Sequence, residues 1–170
     1  MPNWCMNKMT IKGNDLALSE FAFRMKKRFS LEKILPTPKK FLEDADKVIT
    51  SKIESKADMP DWYNWRLQHW GTKWEITNIE HSEQGAEMQL KDNGKTYSCE
   101  FDSAWNPPLI ALEYLSKQIP DLEISLDYHD EMMNYTGRAS FLNGDSDFVF
   151  EQPESQFGDQ IGDNDGNDLD

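Results

Sequence analysis

Cysteine is nearly absent from this 170-residue chain. Cys5 and Cys99 stand alone, form no CxxC pair and offer no disulfide framework. Both are expected as buried thiols in a reducing cytosol. No apolar run is long enough for a transmembrane helix. The opening Met1-Pro2-Asn3-Trp4-Cys5 lacks the basic-then-apolar pattern of a secretory leader. A cytoplasmic protein with no membrane partner is the expectation. Histidine is also scarce: His69, His81 and His129 are far apart, with no HExxH pattern. The chain has no GxSxG, no P-loop and no GxGxxG, so no metal or other cofactor is expected.

Positive charge is the next shortage. Eighteen basic residues face thirty-one acidic ones, a net charge of −13. Such a chain repels phosphate backbones, so direct nucleic-acid binding is not expected. From Gly144 onward there are nine acids and no Lys or Arg, which leaves twenty-two acids against eighteen bases up to Asn143. The body is near neutral and the end is acidic. After Phe150 the few apolar residues (Phe157, Ile161 and Leu169) cannot offset the entropy of ordering, so residues 151–170 are expected as a mobile acidic tail. Two roles stay open for it: a solubilising tail, or a charge mimic that engages a basic surface. The stretch from Gly162 to Asp168 has calcium-loop residue types but lacks the EF-hand spacing and final Glu.

What is present is clear periodicity. Cys5, Met9 and Ile11 alternate with Lys8, Thr10 and Lys12, which predicts a strand over Trp4 to Lys12. Gly13-Asn14-Asp15 breaks that strand and offers a helix cap, after which Leu18, Phe21, Ala22, Met25 and Phe29 trace one helical face. Ser30 to Leu35 predicts a short strand, and Lys39 to Lys56 a peripheral helix. Asp61 is expected to cap a short helix running to about Trp70, which Gly71 ends. Trp74 to Ile79, Met88 to Lys91 and Lys95 to Asp102 predict strands, the last two joined by an Asp92-Asn93-Gly94 turn. Asn106-Pro107 predicts a helix start and Pro120 its end. Leu122 to Tyr128, Tyr135 to Leu142 and Phe148 to Phe150 predict three further strands. The sum is an α+β domain, one antiparallel sheet with helices on one face, over residues 1–150 with a peripheral helical insertion at about 38–58.

Chemistry concentrates in tryptophan. Four of the six tryptophans lie between Asp61 and Trp74. If Trp62 to Trp70 is helical, Trp62, Trp65, Arg66 and His69 share one face. Such a face stacks on a planar or nucleotide-like ligand whose anionic groups meet Arg66 and Lys73, with Trp74 beside them. The competing reading is a satellite core that locks the helix to the sheet. A second concentration is acidic: Asp127, Asp130 and Glu131 bracket His129, either as a solvated strand end or as an acid–base group.

Three ordered motifs carry a resemblance. The Met1-Pro2-Asn3-Trp4-Cys5-x-Asn7 opening is the first. The block Trp65-Arg66-x-x-His69-Trp70-Gly71-Thr72-Lys73-Trp74 is the second, and Phe101-Asp102-x-Ala104-Trp105-x-Pro107-Pro108 the third. In these the chain resembles the YubB-like proteins with a ferredoxin-like domain, encoded by bacteriophages and conjugative plasmids. The resemblance covers Met1 to about Asn143 and implies a ferredoxin-like fold and a mobile-element origin, with no established activity. The expectation is a non-catalytic accessory protein that binds and antagonises a host factor, such as a defence system. It would act by surface occlusion, charge mimicry or sequestration of a signalling nucleotide. Its partner is a host protein or a small anionic ligand. The expected contact residues are Trp62, Trp65, Arg66, His69, Lys73, Trp74, Trp105, Glu131 and Tyr135. A small enzyme built on Cys5, a histidine and a carboxylate is the alternative.

Overall fold

A computed structural model describes residues 3–43 and 59–151. Strand β1 (Trp4–Gly13) lies at the centre of the sheet, between β7 (Thr96–Ala104) and β8 (Leu122–Asp130), antiparallel to both. Beyond β8 the sheet continues through β9 (Tyr135–Leu142) to β10 (Asp145–Glu151). On its other side β7 pairs at one end with β6 (Gln89–Lys91) and at the other with β3 (Thr77–Asn78), which in turn pairs with β4 (Glu83–Gln84). A separate two-stranded ribbon joins β2 (Arg28–Phe29) to β5 (Ala86–Glu87).

Two helices cover one face. Helix α1 (Asp15–Met25) starts where the Asn14 side chain accepts the Ala17 N–H at 2.8 Å. Helix α5 (Leu109–Gln118) presents Ala111, Leu112 and Leu115 to the same core. Reading β1-α1-β6-β7-α5-β8 along the chain gives the β-α-β-β-α-β order of a ferredoxin-like α+β domain. Strands β9 and β10 extend that sheet beyond β8. Alternation decides the two faces. Cys5, Met9 and Ile11 point to the helices with Cys99, Phe101, Ile124 and Leu126. Trp4, Met6 and Lys8 point the other way.

Several local expectations are corrected. Ser30 to Leu35 is not a strand: α2 (Leu31–Ile34) occupies it, because a carboxylate from elsewhere in the chain caps its first turn. Phe29 does not extend the α1 stripe. The helix stops at Met25, where Lys26 takes φ 57°, and Phe29 is buried from β2 instead. The strand expected over Trp74 to Ile79 shrinks to Thr77–Asn78. Asn106 does not cap α5, which begins two residues past Pro107. Helix α3 (Lys39–Glu43) opens the expected insertion. The rest of that insertion, and the expected acidic tail beyond Glu151, lie outside the described residues. Helix α4 (Asp61–His69) ends as expected, with Gly71 at φ 86°, but Asp61 is its first residue and not its cap, a position that Pro60 takes without a capping side chain.

Candidate functional site

Among the described residues, no helix covers the face of the sheet opposite α1 and α5. There the outward residues of β7, β1, β8, β9 and β10 floor a groove of about 1040 Å³. The β3–β4 turn (Ile79, Glu80) and the β8–β9 turn (Glu131, Met132) form its walls. Six carboxylates line it: Glu80, Glu100, Asp102, Asp127, Glu131 and Glu151. Its two cations are both already paired, Lys8 with Glu100 at 3.5 Å and Arg138 with Asp127 at 2.6 Å. Trp4, Met6, Ile79, Met132 and Val149 add apolar area among these charges. Burial pushes the Asp102 carboxyl up, an effect the Ile79 N–H bond opposes and the Glu80 charge reinforces.

The tryptophan block is divided between jobs. Trp70 is fully buried and donates its indole N–H to the Leu35 carbonyl at 2.9 Å. Arg66 lies against the rings of Trp62 and Trp70, 5.1 and 4.7 Å from their centres. Its guanidinium donates to Glu32 and to the Thr37 hydroxyl, each at 3.0 Å. With 15% of its side chain exposed, Arg66 ties α4 to α2 through Glu32 and to the segment after it through Thr37. Trp65 stacks on His69 at 4.4 Å and meets Trp70 edge-on. Trp62 and Arg66 therefore form one group, and Trp65 with His69 another.

Lys73, Trp74 and Trp105 do meet. The Lys73 ammonium lies 4.5 Å from the Trp74 ring centre and 4.9 Å from that of Trp105. Burial there lowers its pKa. Trp4 packs on Trp74 at 5.9 Å, which links this sandwich to the end of the groove. Trp105 holds a left-handed backbone, φ 71°, that a bulky residue rarely adopts, and it remains 56% exposed. Its amide donates to Asn3 and its carbonyl accepts the Tyr135 hydroxyl at 3.0 Å. A smaller depression of about 450 Å³ brings Arg66 and Trp74 together with Glu32 and Glu75.

Strand alternation splits the group around His129. Asp127 and His129 face the groove, where the His129 ring contacts the Tyr135 carbonyl at 3.2 Å through Nδ1. Asp130 faces the other way and is fully buried, not solvated. It accepts from the Asn3 amide at 2.7 and 2.8 Å and from the Met133 N–H at 2.9 Å. Cys5 pairs with Asp130 in register, so its thiol lies on the helix side while His129 lies on the other. Burial pushes that thiol up to about 12, against a hydrogen bond to Tyr135 that lowers it. At neutral pH it carries its proton. Among the described residues, no three His, Cys, Asp or Glu side chains converge to hold a metal ion.

Sequence reasoning missed Trp4, Met6, Ile79 and Asp102. One signal for the first two was present: they are large apolar residues at positions that the β1 alternation assigns to the polar side.

The model of a family described as "Ferredoxin-like domain in Api92-like protein" matches residues 71–165. Among solved structures, the crystal structure of a protein Api92 from Yersinia pseudotuberculosis is similar, with a TM-score of 0.53. The alignment covers 88% of this chain and 98% of that one at 11% identity, so the likeness is one of fold. No curated protein matches the chain. The matched segment carries α5 and all strands from β3 to β10, while the central strand β1 precedes it. The match spans more than half of the chain, and the chain belongs to the family of Api92-like proteins through its ferredoxin-like domain.

Proposed function

We propose that this chain is a non-catalytic binding protein of a phage or plasmid, that it antagonises a host protein such as a defence factor, and that its open sheet face is the contact surface. One observation carries the reading. The groove presents six carboxylates against two cations that are already neutralised, with the half-buried Trp4 and the exposed Met6 and Met132 among them. A surface of this kind complements a basic patch on a partner and repels like-charged ones. Its apolar residues supply the area that a salt-screened attraction lacks. Charge mimicry of this kind occludes a basic groove on a host factor without any chemistry.

Sequestration of an anionic nucleotide has less support, because the cations it would use are engaged. Arg66 is bonded to Glu32 and Thr37, and Lys73 lies between two indole rings. Catalysis by Cys5 has no support either, since the thiol is protonated and separated from His129 by the sheet itself.

The test is charge reversal on the groove walls. Host-lysate proteins retained by the wild type are compared with those retained by a Glu80→Lys/Glu131→Lys variant. The expected result is a retained partner that is released by salt and lost by the folded variant. A partner held equally by both proteins would move the contact surface off this face.

A further inference from the structure

The two ends of the sheet are treated differently. At one end β4 is only two residues long, and Arg28 covers it. Its guanidinium pairs with Glu83 at 3.0 Å and donates to the carbonyls of Gln84 and Gly85 at 3.3 and 3.1 Å. Short strands and edge-covering charges are how folded proteins stop a sheet from recruiting another chain. Among the described residues, the opposite end has no such cover. Strand β10 runs for seven residues, pairs on one side with β9 and, among the described residues, has no strand on the other. It contains no proline and no lysine. Phe148, Val149 and Phe150 are 48, 54 and 57% exposed, well beyond what an edge needs for its own packing.

The two faces of β10 differ in chemistry. Register with β9 places Phe148 and Phe150 on the helix side, against Phe141 and Tyr135. Asp145, Asp147, Val149 and Glu151 point to the open face, and the last two line the acidic groove. A second copy of this chain is a poor occupant. Every symmetric antiparallel pairing that overlaps most of β10 sets an acid opposite an acid, either Asp147 against Asp147, Asp145 against Glu151, or Asp147 against Glu151. Like charges directly opposite destabilise a strand pair.

We infer that β10 is a docking edge for an extended segment of another protein, added to the sheet as an antiparallel or parallel strand, with basic and apolar residues in alternation. The basic residues meet Asp145, Asp147 and Glu151 on the open face, and the apolar ones lie beside Phe148 and Phe150. Backbone pairing supplies affinity and the alternation supplies selection, as in other strand-addition complexes. The inference rests on the proposed acidic contact face and adds how the partner enters it.

The test uses the full chain and a synthetic heptapeptide of alternating lysine and valine, capped at both ends. Hydrogen exchange of the β10 amides is followed by NMR with and without peptide. Strand addition protects every second β10 amide, those pointing away from β9, by tenfold or more, and Asp147→Lys/Glu151→Lys weakens binding by tenfold or more. Peptide that binds without this alternating protection is held by side chains alone, which overturns strand addition and leaves the acidic-face reading standing. Outward amides already protected in the free protein mean that the edge is occupied, by a second copy or by the chain's own end, and also overturn it. Absence of binding, or unchanged affinity in the double variant, removes the inference, and the acidic face is then judged by the lysate comparison alone.

Discussion

Glu75 caps a helix to which it does not belong. Its carboxylate accepts the Leu31 N–H at 2.8 Å, the Glu32 N–H at 3.0 Å and the Ser30 hydroxyl at 2.8 Å, from forty-four residues further along the chain. It also accepts the Ile76 N–H at 2.9 Å. The four residues of α2 have little helical stability of their own, and this anion satisfies first-turn donors that have no acceptor within so short a helix.

Replacing Glu75 by alanine is expected to cost about 1–3 kcal/mol, because several half-buried donors lose one acceptor together. Glu75→Gln should recover only part of that, since its amide nitrogen meets an N–H. Denaturant midpoints of the three proteins check this. A Glu75→Ala protein as stable as the wild type would mean that α2 is held by packing alone.

Arg66→Ala should lower stability by about 1–3 kcal/mol, because it removes the cation paired with Glu32, whose carboxylate keeps only its Thr37 donors, and uncovers Trp62 and Trp70. Arg66→Lys keeps the charge but loses the planar fork that spans Glu32 and Thr37, so it should rescue poorly. Thermal melts distinguish the three. If Arg66→Ala melts like the wild type and loses partner binding, Arg66 belongs to a contact surface after all.

Tyr128 lies across the sheet over Gly137, its register partner on β9. A Cβ at Gly137 would fall 2.2 Å from the Tyr128 ring, so Gly137→Ala must displace the ring from its edge-on contact with Tyr135. The expected loss is about 1–3 kcal/mol, as for other overpacked sites. Combining Gly137→Ala with Tyr128→Leu should cost less than the two single changes added together. Strict additivity in unfolding measurements would mean that the ring and the glycine are independent.

Burial pushes both thiols, Cys5 and Cys99, from 9.0 to about 12 in the folded chain. The unfolded chain therefore loses these protons first as pH rises. Their contribution to stability is complete below about pH 8 and is lost progressively between about 9 and about 12. Tyr128 and Tyr135, also raised by burial, act in the same direction. Denaturant midpoints should fall from about pH 8 to about pH 10, and less steeply in Cys99→Ala. Iodoacetamide at about pH 8 should label the thiols only after unfolding. Rapid labelling of the native protein would contradict their burial.

The long elements were legible because a single periodicity decided each one. Cys5, Met9 and Ile11 for β1, Leu18, Phe21 and Met25 for α1, and Leu122 to Tyr128 for β8 all occupy the faces expected of them. Helix α2 was not legible, because its cap comes from Glu75, and no local window contains both. The same limit hid the groove. Trp4, Asp102 and His129 come from three strands, and only the pairing of Met6 with Asp102 and His129 brings them to one face. The tryptophan block was visible as a concentration of residues. Its division into the Arg66 group, the Trp65–His69 stack and the Lys73 sandwich depends on contacts with Glu32, Thr37 and Trp105 that spacing does not encode.

The central place of β1 has a consequence for how the protein is made. A ribosome delivers β1 first, yet its partners are Thr96 to Ala104 and Leu122 to Asp130. At roughly 5–20 residues per second, β1 waits on the order of 5–20 seconds before β8 is made. Until β7 is made both its edges lack a partner and until β8 follows one still does, so Trp4, Met6, Met9 and Ile11 lack the surfaces that later cover or flank them. Pairings this distant also make spontaneous refolding slow compared with a helical protein of the same size. Removing the ten residues of β1 would thus separate β7 from β8 and cut the sheet in two, a loss far larger than the length of the deletion suggests.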